Sequence, residues 1–270
     1  MSTWFVTGAS RGLGLELVEQ LLERGENVAA TTRSAARMPE HPNLLVREVD
    51  LADEKQVAEA VAATQERFGR LDVVVNNAGY GHLAAVEEVT DAEARTMFDV
   101  QIFGAWNVLR AALPLLRAQR SGHIVNISSI VGLVPFPGWG LYAAGKFALE
   151  GLSESLAAEV ADFGIKVNLI EPGYLRTDFL RPVSIALPSA PVDAYPAVRE
   201  MTKQHLAMPG TQLGDPVKAA AAIIQVVEAG NAPLHQLLGS DSYALATAKL
   251  EALRAEVEAG RELAVTTDIA

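Results

Sequence analysis

TGASRGLG, residues 7–14, stands directly behind the apolar run TWFV and directly before the amphipathic run LELVEQLLE. Gly8, Gly12 and Gly14 allow a tight strand-to-helix turn and let the main chain approach a ligand closely. The unpaired N–H groups of the helix start, with Ser10, Arg11 and Leu13 set among the glycines, then face an anion such as a pyrophosphate. A plain turn can also be glycine-rich. The position of this one, between the first strand and the first helix, favours the binding turn.

The rhythm set there continues along the chain. Residues 2–7, 27–32, 44–49, 71–75, 123–127, 166–170 and 234–238 read as strands. Residues 12–24, 53–68, 98–116, 142–163, 216–229 and a charged, alanine-rich stretch at 243–258 read as helices. In 53–68 the residues Val57, Ala60, Val61 and Phe68 share a face, Asp53 caps the start and Gly69 ends it. The three consecutive valines in 71–75 mark a strand covered on both faces. Pro114 is expected to kink or stop the helix that holds it. Such alternation implies right-handed βαβ crossovers, hence a single-domain α/β Rossmann fold over residues 1–270: a doubly wound parallel sheet of about seven strands with helices on both faces. Residues 174–214 break the pattern with five prolines and read as a loop-rich lid.

Composition narrows the function. The 270 residues are 50% hydrophobic and 20% charged, with mean hydropathy +0.18, which suits one large folded domain and excludes disorder. No apolar run is long enough for a membrane span, and the first residues show no basic-then-apolar targeting pattern. Cysteine is absent, excluding disulfides and thiolate chemistry; a cytoplasmic location is the matching expectation. A net charge of −11 argues against nucleic acid. It also means that an anionic ligand needs locally placed arginines or backbone N–H groups.

The end of the second strand reads NVAATTRS. Many dinucleotide-binding folds carry an acid there to hold the ribose hydroxyls. This chain has Arg33 instead, and Arg11 sits in the glycine turn. Two guanidinium groups near the adenosine ribose would pair with a 2′-phosphate, so the reading is NADP(H) in preference to NAD(H). The alternative is a pair of solvated surface arginines.

Tyr142 and Lys146 are four apart on a helix and so share a face. A phenol with a reference pKa of about 10 is a poor base at neutral pH. A neighbouring ammonium and a cationic nicotinamide ring pull that value down, making the phenol a candidate general acid/base. Ser129 precedes Tyr142 by thirteen residues, NNAG occupies 76–79, PGYLRT occupies 172–177, and Asp50 follows the third strand.

As a set these motifs resemble the short-chain dehydrogenase/reductase family, with IEPGYLRTDF and YAAGKFALEG resembling its hydroxysteroid-dehydrogenase-like branch. The resemblance runs from residue 3 to residue 238. It implies that Gly8, Gly12 and Gly14 receive the pyrophosphate and that Asp50 and Leu51 contact adenine. Asn76, Asn77, Ala78 and Gly79 would line the nicotinamide ribose side. Tyr142 would be the acid/base, Lys146 would hold the ribose hydroxyls and depress the tyrosine pKa, and Ser129 would bond the reacting carbonyl oxygen. Pro172, Gly173 and Thr177 would orient the carboxamide. One position departs from the family: Gln101, in VQIFG, stands where an asparagine is usual, and the proton relay through that residue's main chain is the part it affects.

The five histidines show no metal-ligand spacing, and no metal is expected. His82, in NNAGYGH, is either a substrate contact or a surface histidine. Phe136, Trp139 and Phe179 are candidate walls of an apolar substrate site, as are Leu133, Val134, Leu180, Met201 and Met208; the alternative for each is ordinary core packing. The expected substrate is a small hydrophobic ketone or alcohol. Family-like helices at 105–117 and 149–163 imply a homodimer or homotetramer. An epimerase or dehydratase fits the glycine spacing less well. A catalytically weak dinucleotide-binding sensor is the competing reading, resting on Gln101.

Overall fold

The computed structural model describes residues 1–35 and 38–269. In chain order it contains β1 (Thr3–Thr7), α1 (Gly12–Glu23), β2 (Asn27–Thr32), β3 (Leu44–Glu48), α2 (Glu54–Phe68), β4 (Val73–Asn76), β5 (Gly81–His82), α3 (Asp91–Phe98), α4 (Gly104–Gln119), β6 (Gly122–Ile127), α5 (Gly140–Val160), β7 (Ile165–Pro172), β8 (Ile185–Ala186), α6 (Pro196–Ala207), α7 (Pro216–Ala229), β9 (His235–Leu238), α8 (Ser240–Ala259) and α9 (Arg261–Val265).

Seven strands form one parallel sheet in the order β3-β2-β1-β4-β6-β7-β9. The order reverses between β1 and β4, and ligands of such sheets bind outside the carboxyl ends at that switch. Each face is sealed by its own apolar cluster. On one side Leu17 and Leu21 of α1 and Ile223 and Ile224 of α7 pack over Val6, Val75 and Val125. On the other, Val57 and Val61 of α2, Val108 and Leu116 of α4, and Leu156 of α5 pack over Phe5, Val74 and Ile124. Burying each such side chain stabilises the fold by roughly 1.5–3 kcal/mol. Asp53 caps α2 through Lys55 N and Gln56 N, and Gly69 closes it at φ 78°.

Two expectations need correction. The helix expected at 98–116 is two helices joined by a π-helical turn, Asp99–Phe103. α3 begins earlier because Thr90 and Glu93 form a capping box. Pro114 neither stops nor ends α4, which continues to Gln119. Pro114 lies on the exposed face, so the carbonyl it leaves without a helical partner reaches water. The segment 174–214, expected as loop-rich, is irregular over most of its length and carries α6 and β8. β8 pairs in parallel with β5, and Gly214 N donates to the Tyr174 carbonyl at 2.9 Å, tying the two ends together.

Candidate active site

Thr7, at the end of β1, joins the two loops that shape the floor of the site. Its Oγ1 accepts from Asn77 N at 2.9 Å and Ala78 N at 3.1 Å. The Asn77 amide nitrogen donates in return to the carbonyls of Thr7 and Gly8, so this side chain braces the turn. Glycine is required where these loops meet. A Cβ on Gly8, which has φ 65°, would lie 2.8 Å from Ala78 Cα, and one on Gly14 would lie 2.5 Å from the Gly8 carbonyl oxygen. The start of α1 is thereby left bare toward solvent-accessible space.

That space is a cleft of about 760 Å³ running along the carboxyl edge of the sheet. Gly8, Ser10, Arg11, Gly12, Leu13 and Gly14 line one end, with Arg33, Asp50 and Leu51 beside them. Asn77, Ala78, Gly79, Pro172, Gly173 and Thr177 line its middle. Ser129, Tyr142 and Lys146 lie beyond, and Trp139, Tyr174, Phe179, Leu180 and Ile185 form an apolar wall. The anion-binding turn, the two arginines and the adjoining apolar space fit a nicotinamide dinucleotide with room for a second, apolar molecule.

Tyr142 opens the first turn of α5 and is 5% exposed. Its ring packs edge-on to Trp139, with centroids 5.3 Å apart, and against Phe179 at 5.7 Å. Burial pushes the phenol pKa up, and the hydrogen bond with Ser129 opposes that only in part. Lys146 Nζ donates to the Ile127 carbonyl at 2.8 Å and sits 5.6 Å from the tyrosine ring centroid. Burial brings the lysine down to about 8, with Glu150 pulling the other way. Lys146, expected to lower the tyrosine pKa, is not among the causes of the tyrosine's shift, in which desolvation dominates.

Gln101 lies on the π-helical turn, buried outside the main cleft. Its Nε2 donates to the Tyr80 carbonyl at 2.7 Å. A second cavity of about 10 Å³, the size of one water, is lined by Gln101, Asn76, Thr7 and Lys146. Gln101 Oε1 and Asn76 Oδ1 are buried without a protein donor. Gln101 and Lys146 thus border the same small cavity. Gln101→Asn loses the Tyr80 bond but keeps an amide; the expected change in turnover is less than about tenfold, read from steady-state rates.

Six of the expected substrate contacts, His82, Leu133, Val134, Phe136, Met201 and Met208, do not line the cleft. His82 alternates with Gly81 along β5, and a Cβ on Gly81 would meet Ile185, Trp139 and Phe179. Successive strand residues face opposite ways, so His82 points away from that wall, its Nε2 3.9 Å from Glu93 Oε1. Phe136 packs with the cluster around Leu83 and Trp139 and does not line the cleft. Trp139 and Phe179 do.

Sequence reading missed a polar cluster behind Ser129. Glu150, one turn after Lys146, accepts from the Ser128 hydroxyl and approaches Glu171 of β7, which is fully buried. His235 of β9 is half-exposed; its Nδ1 lies 2.7 Å from Glu171 Oε1 and 3.6 Å from Glu150 Oε2. No local spacing announces a group drawn from three elements. Burial, opposed by the Ser128 bond, pushes Glu150 up to about 7. The folded state therefore binds this proton more tightly than the unfolded chain, and stability falls as pH rises from the ordinary value of 4.5 through about 7. Glu150→Gln keeps an acceptor for Ser128 without the charge. In thermal melts it is expected to exceed the parent Tm by a few degrees at about pH 8 and to match it at about pH 5.

The comparisons with known proteins agree with this arrangement. The short chain dehydrogenase family model matches residues 2–187. An oxidoreductase of Botryotinia fuckeliana, BOA17, is 37% identical over 98% of this chain and 98% of its own. A 3-ketodihydrosphingosine reductase of Bacteroides thetaiotaomicron is 36% identical over 87% of this chain and 86% of its own. The crystal structure of a short-chain dehydrogenase from Streptomyces avermitilis superposes with a TM-score of 0.92 at 37% identity, covering 99% of each chain. With a family model over most of its length, a relative matched end to end and the fold in common, the chain belongs to the short-chain dehydrogenase family of NAD(P)-dependent oxidoreductases.

Proposed function

We propose that this protein is an NADP(H)-dependent ketone reductase and secondary-alcohol dehydrogenase for hydrophobic substrates, with Tyr142 as general acid/base. The observation that carries the reading is the placement of Tyr142 with Ser129 and Lys146 in one cleft, beside its apolar wall. When bound, the nicotinamide dinucleotide supplies or accepts the hydride.

The chain's own residues do the rest. Ser129 donates a hydrogen bond to the substrate carbonyl oxygen and fixes its direction. Tyr142 gives its proton to that oxygen as the C–O bond order falls, so hydride plus proton converts ketone to alcohol. A phenol kept protonated by burial is already in the form that reduction needs. Lys146, anchored on Ile127 O, is placed to hold the ribose hydroxyls and return a proton toward the tyrosine. Aligning the reacting groups and excluding water supplies much of the acceleration. Trp139, Phe179 and Leu180 would hold the substrate's apolar part. The relative that acts on 3-ketodihydrosphingosine supports a ketone bearing a substantial apolar group. Exposed Trp106 on α4 and Phe147 on α5 support a homodimer, to be checked by sedimentation.

The test is cofactor oxidation with a panel of hydrophobic ketones. Saturable turnover with NADPH supports the reading. Tight NADPH binding without turnover on any ketone favours a dinucleotide-binding sensor instead.

A further inference from the structure

His205 is one of the five histidines, which show no metal-ligand spacing. It lies on α6, 2% exposed, outside the cleft lining. Its Nδ1 is 2.8 Å from the Met201 carbonyl oxygen, one turn back on the same helix. Its Nε2 is 2.8 Å from the Tyr174 hydroxyl and 3.2 Å from Trp139 Nε1. These partners determine the state of the ring. A carbonyl oxygen only accepts, so Nδ1 carries the hydrogen. An indole N–H only donates, so Nε2 is a bare acceptor. His205 is a neutral imidazole that accepts from Trp139 and from Tyr174 at once.

Both donors line the cleft, and His205 does not. The Trp139 and His205 rings meet edge-on at 5.1 Å, and Tyr174 packs on the imidazole at 5.7 Å. Trp139 in turn abuts Tyr142. One imidazole thus fastens α6 to the wall beside the phenol. The groups that face it are the Met201 carbonyl from α6, Trp139 from the residue before α5, and Tyr174 from the segment after β7. The charged group on this side is Asp241 of α8, which accepts from Tyr174 N at 2.9 Å and raises the tyrosine pKa.

We propose that His205 is a positioning residue that latches α6 to the cleft wall, holding Trp139 and Tyr174 in register for a bulky apolar ketone and releasing them when Nε2 takes a proton from solvent. A protonated Nε2 turns a hydrogen toward the Trp139 N–H, donor against donor, and forces the Tyr174 hydroxyl to reverse its role. Burial lowers the imidazole pKa, with the Met201 bond opposing it. The latched form therefore binds the proton less well than the open one. The latch is at full strength above the ordinary histidine value of about 6.5 and weakens progressively as pH falls below it toward the lowered value of the buried ring.

The inference rests on the reductase reading for its substrate, so the test has an arm that needs no turnover. Menthone serves as the bulky ketone and cyclohexanone as the small one. In the parent protein, KM for menthone is expected to rise at least about fivefold between about pH 7.5 and about pH 5.5. Over the same range kcat for cyclohexanone should change less than about twofold once the response common to all variants is divided out. His205→Gln places an amide oxygen near the Nε2 position, where it accepts from both partners and does not titrate; its menthone KM stays flat. His205→Leu raises that KM at both pH values. Independently, amide hydrogen exchange across α6, corrected for intrinsic rates, should accelerate on acidification in the parent and not in His205→Gln. The same pH course in parent and His205→Gln, for exchange or for menthone KM, overturns the latch. If neither ketone is reduced, the substrate reading fails, and exchange across α6 alone decides the latch.

Discussion

Tyr142→Phe is expected to lower turnover by on the order of a thousandfold while leaving cofactor affinity within about twofold. Phenylalanine keeps the ring packed between Trp139 and Phe179, so the wall of the cleft is preserved. What disappears is one hydroxyl, the proposed proton donor to the developing alkoxide. Lys146 keeps its bond to the Ile127 carbonyl, and the glycine turn is untouched, which is why binding should survive. The pH dependence has a definite sign. Burial holds the phenol protonated, so reduction needs no prior ionisation, whereas alcohol oxidation needs the phenolate and should accelerate as pH rises. Rates in both directions, with NADPH affinity from fluorescence titration, check the claim. Equal losses for Tyr142→Phe and Gln101→Asn would refute the ranking of these residues.

The features legible in the sequence were those whose geometry is local. A turn of eight residues between a strand and a helix, or a Tyr–Lys pair four apart on a helix, has its spatial meaning within its own spacing. The strand–helix alternation carried the sheet for the same reason, since parallel crossovers leave few topologies. What was missed is non-local. The direction of His82 is set by the register of β5 on β8, a pairing across about a hundred residues. Glu150, Glu171 and His235 meet only because α5, β7 and β9 are neighbours in the folded sheet layer. His205 finds Trp139 and Tyr174 only after α6 has packed over the cleft. The start of α3 is a different case. Its capping box, Thr90 with Glu93, is local and lies in the sequence three residues apart. Solvent exposure also decided what pattern could not: Pro114 looks like a helix stop until its face is known.

The second large effect concerns the cofactor. Replacing Arg11 and Arg33 together by alanine is expected to raise KM for NADPH about a hundredfold and to leave KM for NADH within about threefold. Both arginines line the cleft together with the glycine turn. β2 ends in threonines rather than an acid, so no carboxylate at the end of that strand opposes a 2′-phosphate. Glu48, at the end of β3, accepts from Ala35 N at 2.8 Å, and Asp50, two residues on, accepts from Ala52 N at 3.0 Å. The protein's net charge of −11 opposes a dianionic group, which makes the local guanidinium pair decisive. A charge-assisted hydrogen bond contributes about 1.5–3 kcal/mol, so loss of two partly solvated ones at the low end gives about two powers of ten. Arg33→Ala alone should account for about tenfold of this, because Arg33 is exposed and its removal disturbs no packing. Added salt should weaken NADPH binding in the parent more than in the double variant, since screening acts on the phosphate–guanidinium attraction. Were both cofactors to weaken equally, the arginines would be shaping the turn rather than reading the phosphate, and the preference for NADP(H) would be lost.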